Sequence, residues 1–437
     1  MTLQKIFTNL CLVIWAIIPV FSPMMNRFMP FWIQYALIFL MLIFALLSNI
    51  KDGKLIVPIS TERNYIFWIL VLLMAFTGVT RDSYGSFRIM SCILLPLILR
   101  KRTDWIKSAF YIFAVVLGIN VFFTLFFFLF PQYYHIIIDI YGSAPIGTSL
   151  GTAGYRAGIS NHYSQNGIFI SLFFMLIMVL IISGFSANKK IRDNVKYIVI
   201  AGLAFAALLL TGKRGVLIFC ICSIIFTYLL CSRKKLGKLV KIFIIAIVAV
   251  GILQMLSEVI PEIGYTFERF QLVGEDTASQ ERFAMWELAI QKFKNHPIIG
   301  NGFWSFKDFY HDNLSQYYHS SVQGYDRLNA HNVYLQLLCE NGIVGEVIYL
   351  SAVGLMLAKT IKLIRNMYQF DSMELRFAAL FSLCIQIFYC IYSVSGNCLY
   401  DVVFYFYALA MAITLALSNE LNQYPTRLNT DRVLSGE

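Results

Sequence analysis

Twelve apolar runs, candidates for crossing a bilayer, follow one another along this 437-residue chain, at 6–25, 31–50, 65–80, 86–100, 108–130, 166–185, 197–212, 215–231, 240–257, 343–360, 377–394 and 402–418. A helix needs about 20 mostly apolar residues to cross the hydrocarbon core. Water is missing there, so each backbone N–H and C=O must be satisfied within the protein, which leaves helices and closed barrels. The period-two alternation of an outer-membrane barrel is absent. With 59% of its residues hydrophobic, the chain is expected to be an all-α integral membrane protein of about twelve transmembrane helices; the runs at 65–80 and 86–100 are short.

Basic residues set the orientation, because Lys and Arg collect in cytoplasmic loops. With the N-terminus inside, every inner loop is basic: Lys51, Lys54 and Arg63; Arg100, Lys101, Arg102 and Lys107; Lys189, Lys190, Arg192 and Lys196; Arg233, Lys234, Lys235, Lys238 and Lys241; Lys359, Lys362, Arg365 and Arg376. Both termini are therefore expected in the cytoplasm. The net charge of +11 reflects topology and anionic headgroups, not nucleic acid. Lys5 precedes the first run without a small-residue cleavage site, which reads as an uncleaved first helix. The nine cysteines lie mostly inside the apolar runs and show neither metal-ligand spacing nor a disulfide framework.

One long polar stretch, 258–342, interrupts this pattern, and the orientation places it outside. The chain thus divides into 1–257 with spans one to nine, 258–342 as an extracytoplasmic loop, and 343–437 with spans ten to twelve and a cytoplasmic tail. Within the loop, Ser279 is expected to cap a helix running to about Asn295. Phe283, Trp286, Ile290 and Phe293 form one apolar stripe on it, suited to lying on the membrane or on the bundle. Gly300-Asn301-Gly302 then makes a tight turn.

A few cations outside the inner loops carry chemical information. TGKRG (211–215) is wedged between two apolar runs, and Arg156 lies in the loop 131–165. An arginine at membrane depth costs roughly 2.5–3.5 kcal/mol on insertion scales, so it usually faces a cavity or a partner. Lys213 and Arg214 suit two readings: snorkelling to headgroups, or an anion site, where the planar guanidinium grips phosphate oxygens in pairs. Arg282 stands in the first turn of its helix, where the dipole disfavours a cation; it is either a solvated surface residue or part of the same site. His331 opens HNVYLQLLCENGIVG (331–345), read as a helix start. That position favours neutral imidazole, which can accept a proton, and it equally suits a capping histidine. His162, His296, His311 and His319 have weaker settings.

The run R-x3-W…P-x2-G-x-G…H-N-x2-L-x5-N-G-x2-G is met by Arg282, Trp286, Pro297, Gly300, Gly302, His331, Asn332, Leu335, Asn341, Gly342 and Gly345. It resembles the O-antigen ligase/polymerase family (WaaL- and Wzy-like proteins). His331 and Gly342 fit the H-x10-G pattern of the ligases, Arg156 and Gly167 fit the R-x10-G of the polymerases, and Arg214 stands in an SRG-like junction with Lys213 in place of Ser. The resemblance implies a GT-C-like fold and an inverting, metal-independent glycosyltransferase without cofactor, in the cytoplasmic (inner) membrane with its active site on the periplasmic face. The donor would be a glycan on undecaprenyl diphosphate. A ligase moves it to a sugar of lipid A–core, a polymerase to another lipid-linked repeat; H-x10-G and the single dominant loop favour the ligase.

It further implies catalytic roles for His331, Arg214 and Arg282, and binding of diphosphate or glycan by Arg156, Lys213, Asn332, Trp286 and Tyr334. A D-x-D pair for nucleotide-sugar chemistry is missing from the loop. A transporter or flippase would show matched broken helices in two halves, and the sequence has no internal repeat. Cysteines introduced at Asp312 and Lys235 are expected to differ from the parent chain in opposite ways. A membrane-impermeant thiol reagent should label the first from outside and leave the second untouched; equal labelling overturns the orientation.

Overall fold

The computed structural model describes residues 3–28, 30, 32–51, 54–55, 65–145, 148, 153–186, 191–230, 254, 257, 264, 277–309, 329–366 and 372–435. Among these the fold is helical apart from a two-residue antiparallel ribbon, Ile50–Lys51 against Lys54–Leu55. In chain order the helices are α1 (Leu3–Phe28), α2 (Trp32–Leu47), α3 (Ile66–Thr77), α4 (Ser83–Leu99), α5 (Ile106–Leu129), α6 (His135–Tyr141), α7 (Tyr163–Ser186), α8 (Ile191–Leu210) and α9 (Arg214–Leu230). After these come α10 (Thr277–Asn295), α11 (Val333–Arg365), α12 (Met373–Tyr392) and α13 (Val403–Ser435).

Eleven of the twelve expected runs coincide with helices; the run at 240–257 falls outside the described residues except Gln254 and Ser257. By length and composition, six described helices are able to cross a membrane: α1, α5, α7, α11, α12 and α13. α2, α3, α4, α8 and α9 are apolar but shorter. This is a multi-pass membrane bundle. Helix α7 and the membrane windows of α12 and α13 are wrapped by protein, whereas α5 presents Tyr111, Val115, Phe122 and Leu129 outward on one face. An apolar outward stripe is what a helix shows where lipid is the solvent.

Packing between such helices gains little from hydrophobicity, so polar clasps matter. Gln386 of α12 donates to Thr360 of α11 at 2.8 Å and Thr414 of α13 at 3.1 Å. Ser382 returns a bond to the Ala410 carbonyl at 2.7 Å. Three helices are thus tied at one fully buried level.

The polar segment is fixed to this bundle by a break in α11. Gly342 adopts φ +62°, ψ −167°, so the helix kinks there. A kink strips helical partners from the carbonyls before it and the N–H groups after it. The 297–302 turn supplies them: Asn301 and Gly302 N–H donate to the Cys339 and Glu340 carbonyls at 3.2 and 2.6 Å, and Ile343 and Val344 N–H donate to the Pro297 and Ile298 carbonyls at 2.9 and 3.2 Å. The backbones come so close that a Cβ on Gly300 would strike the Glu340–Asn341 peptide, and one on Gly342 the Ile298 carbonyl.

Beyond the turn, Trp304 wedges into the α3–α4 corner. Its Nε1 donates to Ser86 Oγ at 3.0 Å, and its ring fills the space a side chain would need at Gly78 and Gly85. Lys307 lies over that ring and donates to Asp82 at 2.7 Å. Buried Glu340 closes the joint, accepting from Tyr400 Oη at 2.7 Å, Gln336 Nε2 at 3.0 Å and Phe306 N–H at 3.3 Å.

Helix α10 departs from the expected reading at its start, and of the two places expected for its apolar stripe the bundle is not the one observed. It begins at Thr277, so Ser279 lies inside its first turn instead of capping it. The face that packs on the bundle is Met285, Leu288 and Ala289, against Phe306, Ala330 and Cys339, while Phe283 and Ile290 of the expected stripe are exposed. The helix has apolar residues on both sides. Cys339 and Cys398 are both buried free thiols.

Gly300→Ala and Gly342→Ala are expected to release the polar segment from α11. Left-handed backbone alone costs a side chain about 1–2 kcal/mol, and the collision adds to it. Each variant should lower the thermal midpoint of the detergent-purified protein; a midpoint equal to the parent's would show that the backbone contact is dispensable.

Candidate active site

A partly open cleft, about 430 Å³ when the solvent at its mouth is counted, is lined by Tyr163, Gly212, Lys213, Arg214, Gly215, Ser279, Arg282, Tyr392 and Ser395. Four separate stretches build it: the start of α7, the 211–215 turn, the first turns of α10 and the α12–α13 connection. Three of the lining residues are cationic, and among the described residues no carboxylate lines it.

The 211–215 turn has a local cause. Thr211 Oγ1 donates back to the Leu208 carbonyl at 2.7 Å and lies 3.3 Å from the Lys213 N–H, which donates to it. Gly212 takes φ +66°, and α9 starts at Arg214. Arg214 therefore stands at a helix N-terminus, where the helix dipole already favours an anion.

Arg156 ends a short turn, Gly154–Arg156, and leans on the same place. Its Nε donates to the Thr211 carbonyl at 3.4 Å, its guanidinium carbon lies 5.0 Å from the Tyr163 ring centre, and a Cβ on Gly212 would come 3.1 Å from its Nη2. Lys213 Nζ lies 5.4 Å from the same ring. One tyrosine ring thus has two cations within cation–π range. Gly167 belongs to this packing as well: a Cβ there would press on Lys213 and Thr211 at 3.2 and 3.3 Å.

His331 precedes α11 with φ +53°, a left-handed conformation that histidine tolerates better than most residues. Its neighbours pin it. Asn332 caps α11 by accepting from Leu335 N–H at 3.1 Å, Ala330 N–H donates to Gln336 Oε1 at 2.9 Å, and Val333 N–H donates to the Ser393 carbonyl at 2.9 Å. The ring Nδ1 sits 3.2 Å from the Asn397 side-chain amide. Burial drives the imidazole pKa down to about 3, with the charges of Arg282 and Lys213 and the nearby His162 adding to the effect. The neutral form expected from the helix start is thus present, but burial and cations are its main causes.

His162 shares this setting. Its ring stacks on Tyr163 at 4.9 Å, its Nδ1 accepts from Ser164 N–H at 2.9 Å, and burial, then Lys213, lowers its pKa to about 4.

The structure therefore brings Lys213, Arg214 and Arg282 into one cleft, with Arg156 against its wall and His331 within range of the charges of Arg282 and Lys213. It does not bring the other expected binding residues there. Asn332 spends its side-chain oxygen on the helix cap, Tyr334 Oη donates to the Cys390 carbonyl at 2.8 Å, and Trp286 packs edge-on against Phe283 at 5.6 Å. His296 is exposed on the far end of α10. His311 and His319 lie outside the described residues. Ser279 is marked in the sequence only as a helix cap, and Tyr163, Tyr392, Ser395 and Asn397 carry no motif there. The signal for the last two is the short polar SVSGN (393–397) between two apolar runs.

Fold and site together define a multi-pass helical membrane protein with a cationic cleft beside a neutral histidine. Residues 199–350 match the family model described as O-antigen ligase. The match spans α8 to the middle of α11, including Lys213, Arg214, Arg282 and His331, and supports placing the chain in an O-antigen ligase/Wzy-like family. A Haemophilus influenzae (strain Rd) protein described as uncharacterized is 26% identical over 200 residues, which cover 42% of this chain and 47% of that protein. The chain thus spans about half the length of that relative.

Proposed function

We propose that this chain is a glycosyltransferase of the O-antigen ligase type. It takes a glycan from undecaprenyl diphosphate and joins it to a hydroxyl of an acceptor sugar on lipid A–core, at the periplasmic face of the cytoplasmic membrane. The observation that carries this reading is the meeting of Lys213, Arg214 and Arg282 at a helix N-terminus, beside a histidine kept neutral. The reading includes about twelve spans, cytoplasmic termini, and 258–342 as the outward catalytic loop between 1–257 and 343–437. Eleven described apolar helices plus the run at 240–257 support that count.

In the proposed inverting step the acceptor hydroxyl oxygen attacks the anomeric carbon. The carbon–oxygen bond to the diphosphate breaks with its electron pair staying on the phosphate oxygen, and the hydroxyl proton passes to His331. Negative charge grows on the leaving diphosphate, and fixed cations stabilise it without rearranging. Arg214 and Arg282 hold the diphosphate, with Arg156 and Lys213 reinforcing the field. Arginine's paired donors match two phosphate oxygens, which a lysine cannot reproduce.

A deletion strain tests the reading at its core. Unlinked long polymer is the outcome expected of a lost ligase; acceptor carrying a single repeat would instead assign the polymerase reaction. Restoring the chain with Arg214→Ala or Arg282→Ala should leave transfer reduced by about tenfold to a hundredfold, since a hydrogen bond to a charged group is worth about 1.5–3 kcal/mol, and Arg→Lys should rescue poorly. Normal surface polysaccharide from both alanine variants at parental protein levels removes the diphosphate role.

The His331 role has its own signature in pH. A base works in its neutral form, which is present above its pKa and lost as pH falls through it. Ordinary imidazole would lose activity near about 6.5. Here kcat/KM is expected to hold through that range and to fall only towards the lowered value of about 3. His331→Gln should abolish transfer while the protein accumulates normally. Transfer at the parental rate in that variant means that the histidine is structural, and His162 becomes the base to examine.

A further inference from the structure

The α12–α13 connection reaches the base from a part of the chain that the family match does not cover. Residues 199–350 match, whereas Asn397 lies in the SVSGN turn. That turn is anchored to the His331 segment twice: Val333 N–H donates to the Ser393 carbonyl at 2.9 Å, and the Asn397 amide lies 3.2 Å from His331 Nδ1. The same turn contributes Ser395 to the cleft, so it touches the cation site and the histidine together.

A neutral imidazole has one N–H and one lone pair, and the partner of one nitrogen decides the role of the other. Asn397 is placed to make that decision. Its amide is turned with Nδ2 towards the ring, and its Oδ1 is buried without a hydrogen-bond partner. A half-turn exchanges the two ends and gives that oxygen a donor in Nδ1–H; which end faces the ring follows from the protonation of the ring.

We propose that Asn397 is a positioning residue for His331: its amide oxygen accepts from Nδ1–H, which fixes the tautomer whose Nε2 lone pair receives the proton of the acceptor hydroxyl. The inference rests on the glycosyl-transfer reading above. During the step the hydroxyl proton goes to Nε2 and the Nδ1–H bond to Asn397 stays intact, so the imidazolium that forms has a fixed acceptor on its other side. The groups that face this imidazole are Arg282 from α10, Lys213 from the α8–α9 turn and His162 at the start of α7. Two are cations and one is a second imidazole. A neutral amide holds the ring without opposing their effect, whereas a carboxylate in its place would stabilise the protonated ring.

The test uses membranes of the deletion strain, with its accumulated lipid-linked glycan as donor, and full-length chain carrying Asn397→Ala or Asn397→Asp. Asn397→Ala is expected to slow transfer by about tenfold to a hundredfold. Asn397→Asp keeps an oxygen acceptor, so it should transfer better than Asn397→Ala, but its acid limb in kcat/KM should move to higher pH, because the added negative charge favours imidazolium. A residue that only braces the turn would lower the amount of protein and leave that limb in place. An Asn397→Asp profile superimposing on the parent's, at parental protein levels, overturns the inference even if Asn397→Ala fails to accumulate. His331→Gln, run in parallel, separates the two failures. If it transfers at the parental rate, the base reading itself is lost; if it is inactive while the Asn397→Asp limb stays put, only the role of Asn397 is lost.

Discussion

The break in α11 at Gly342 is the constraint on which the rest of the site depends. Helix backbone in a membrane protein does not leave N–H and C=O groups unpaired without cost, and a kink frees several of them at once. Here the 297–302 turn pairs with the freed groups on both sides of the kink. A defect in one helix is thereby turned into an attachment point for a segment about forty residues away in sequence. The two glycines at the crossing have a shared cause: each backbone occupies the space that a side chain on the other would need. Trp304 and Lys307 then hold the far side of the segment against the α3–α4 corner, and Glu340 fills the joint between them.

With the segment fixed at that point, α10 leads back from it and carries Arg282 to the cleft. Three anchors converge there without any one of them being a cofactor or a metal ligand. The 211–215 turn brings Lys213 and Arg214 to the start of α9, the Tyr163 ring lies near the cations of Arg156 and Lys213, and the SVSGN turn supplies Ser395 to the cleft and Asn397 to His331. Lys213 and Arg214 come from one turn, but Arg156 and Arg282 are far from it in sequence, and the packing of α7, α9, α10 and α12 brings them to the same place.

Much of the bundle was legible in the sequence, because hydrophobicity over about 20 residues is a coarse signal that tertiary contacts rarely reverse. The same holds for Arg214 and His331, whose settings are local: a charged residue at a helix junction, and a helix start with Asn332 as its cap. What stayed hidden depends on distant partners. Ser279 could be read as a cap from its position, but its place in the cleft follows from how α10 docks. The Phe283–Ile290 stripe has a convincing period, yet Met285, Leu288 and Ala289 are the residues packed with Phe306, Ala330 and Cys339, contacts made with residues distant in sequence. Asn332, Trp286 and Tyr334 lie in or beside the motif that resembles the family, but proximity in sequence does not turn their side chains to the cleft. Tyr163, Tyr392 and Asn397 lie outside that motif and become neighbours of it only through the fold.

On the proposed reading, the cations around His331 have two opposing consequences for the same histidine. Together with burial, which is the larger cause, they keep the imidazole neutral and ready to take a proton, but they also make its protonated form costly. An incoming diphosphate changes the sign of the local field. Its negative charge offsets Arg282 and Lys213, and the imidazolium formed during transfer then sits near an anion whose charge is growing. The base is therefore weakest when no donor is present and strengthens as the leaving group needs it. An arrangement with a carboxylate beside the histidine would give a stronger base at all times, but it would repel the diphosphate and protonate the ring before the acceptor arrived. A neutral amide at Asn397 avoids both effects, which is the electrostatic reason for an asparagine, and not an aspartate, at that position.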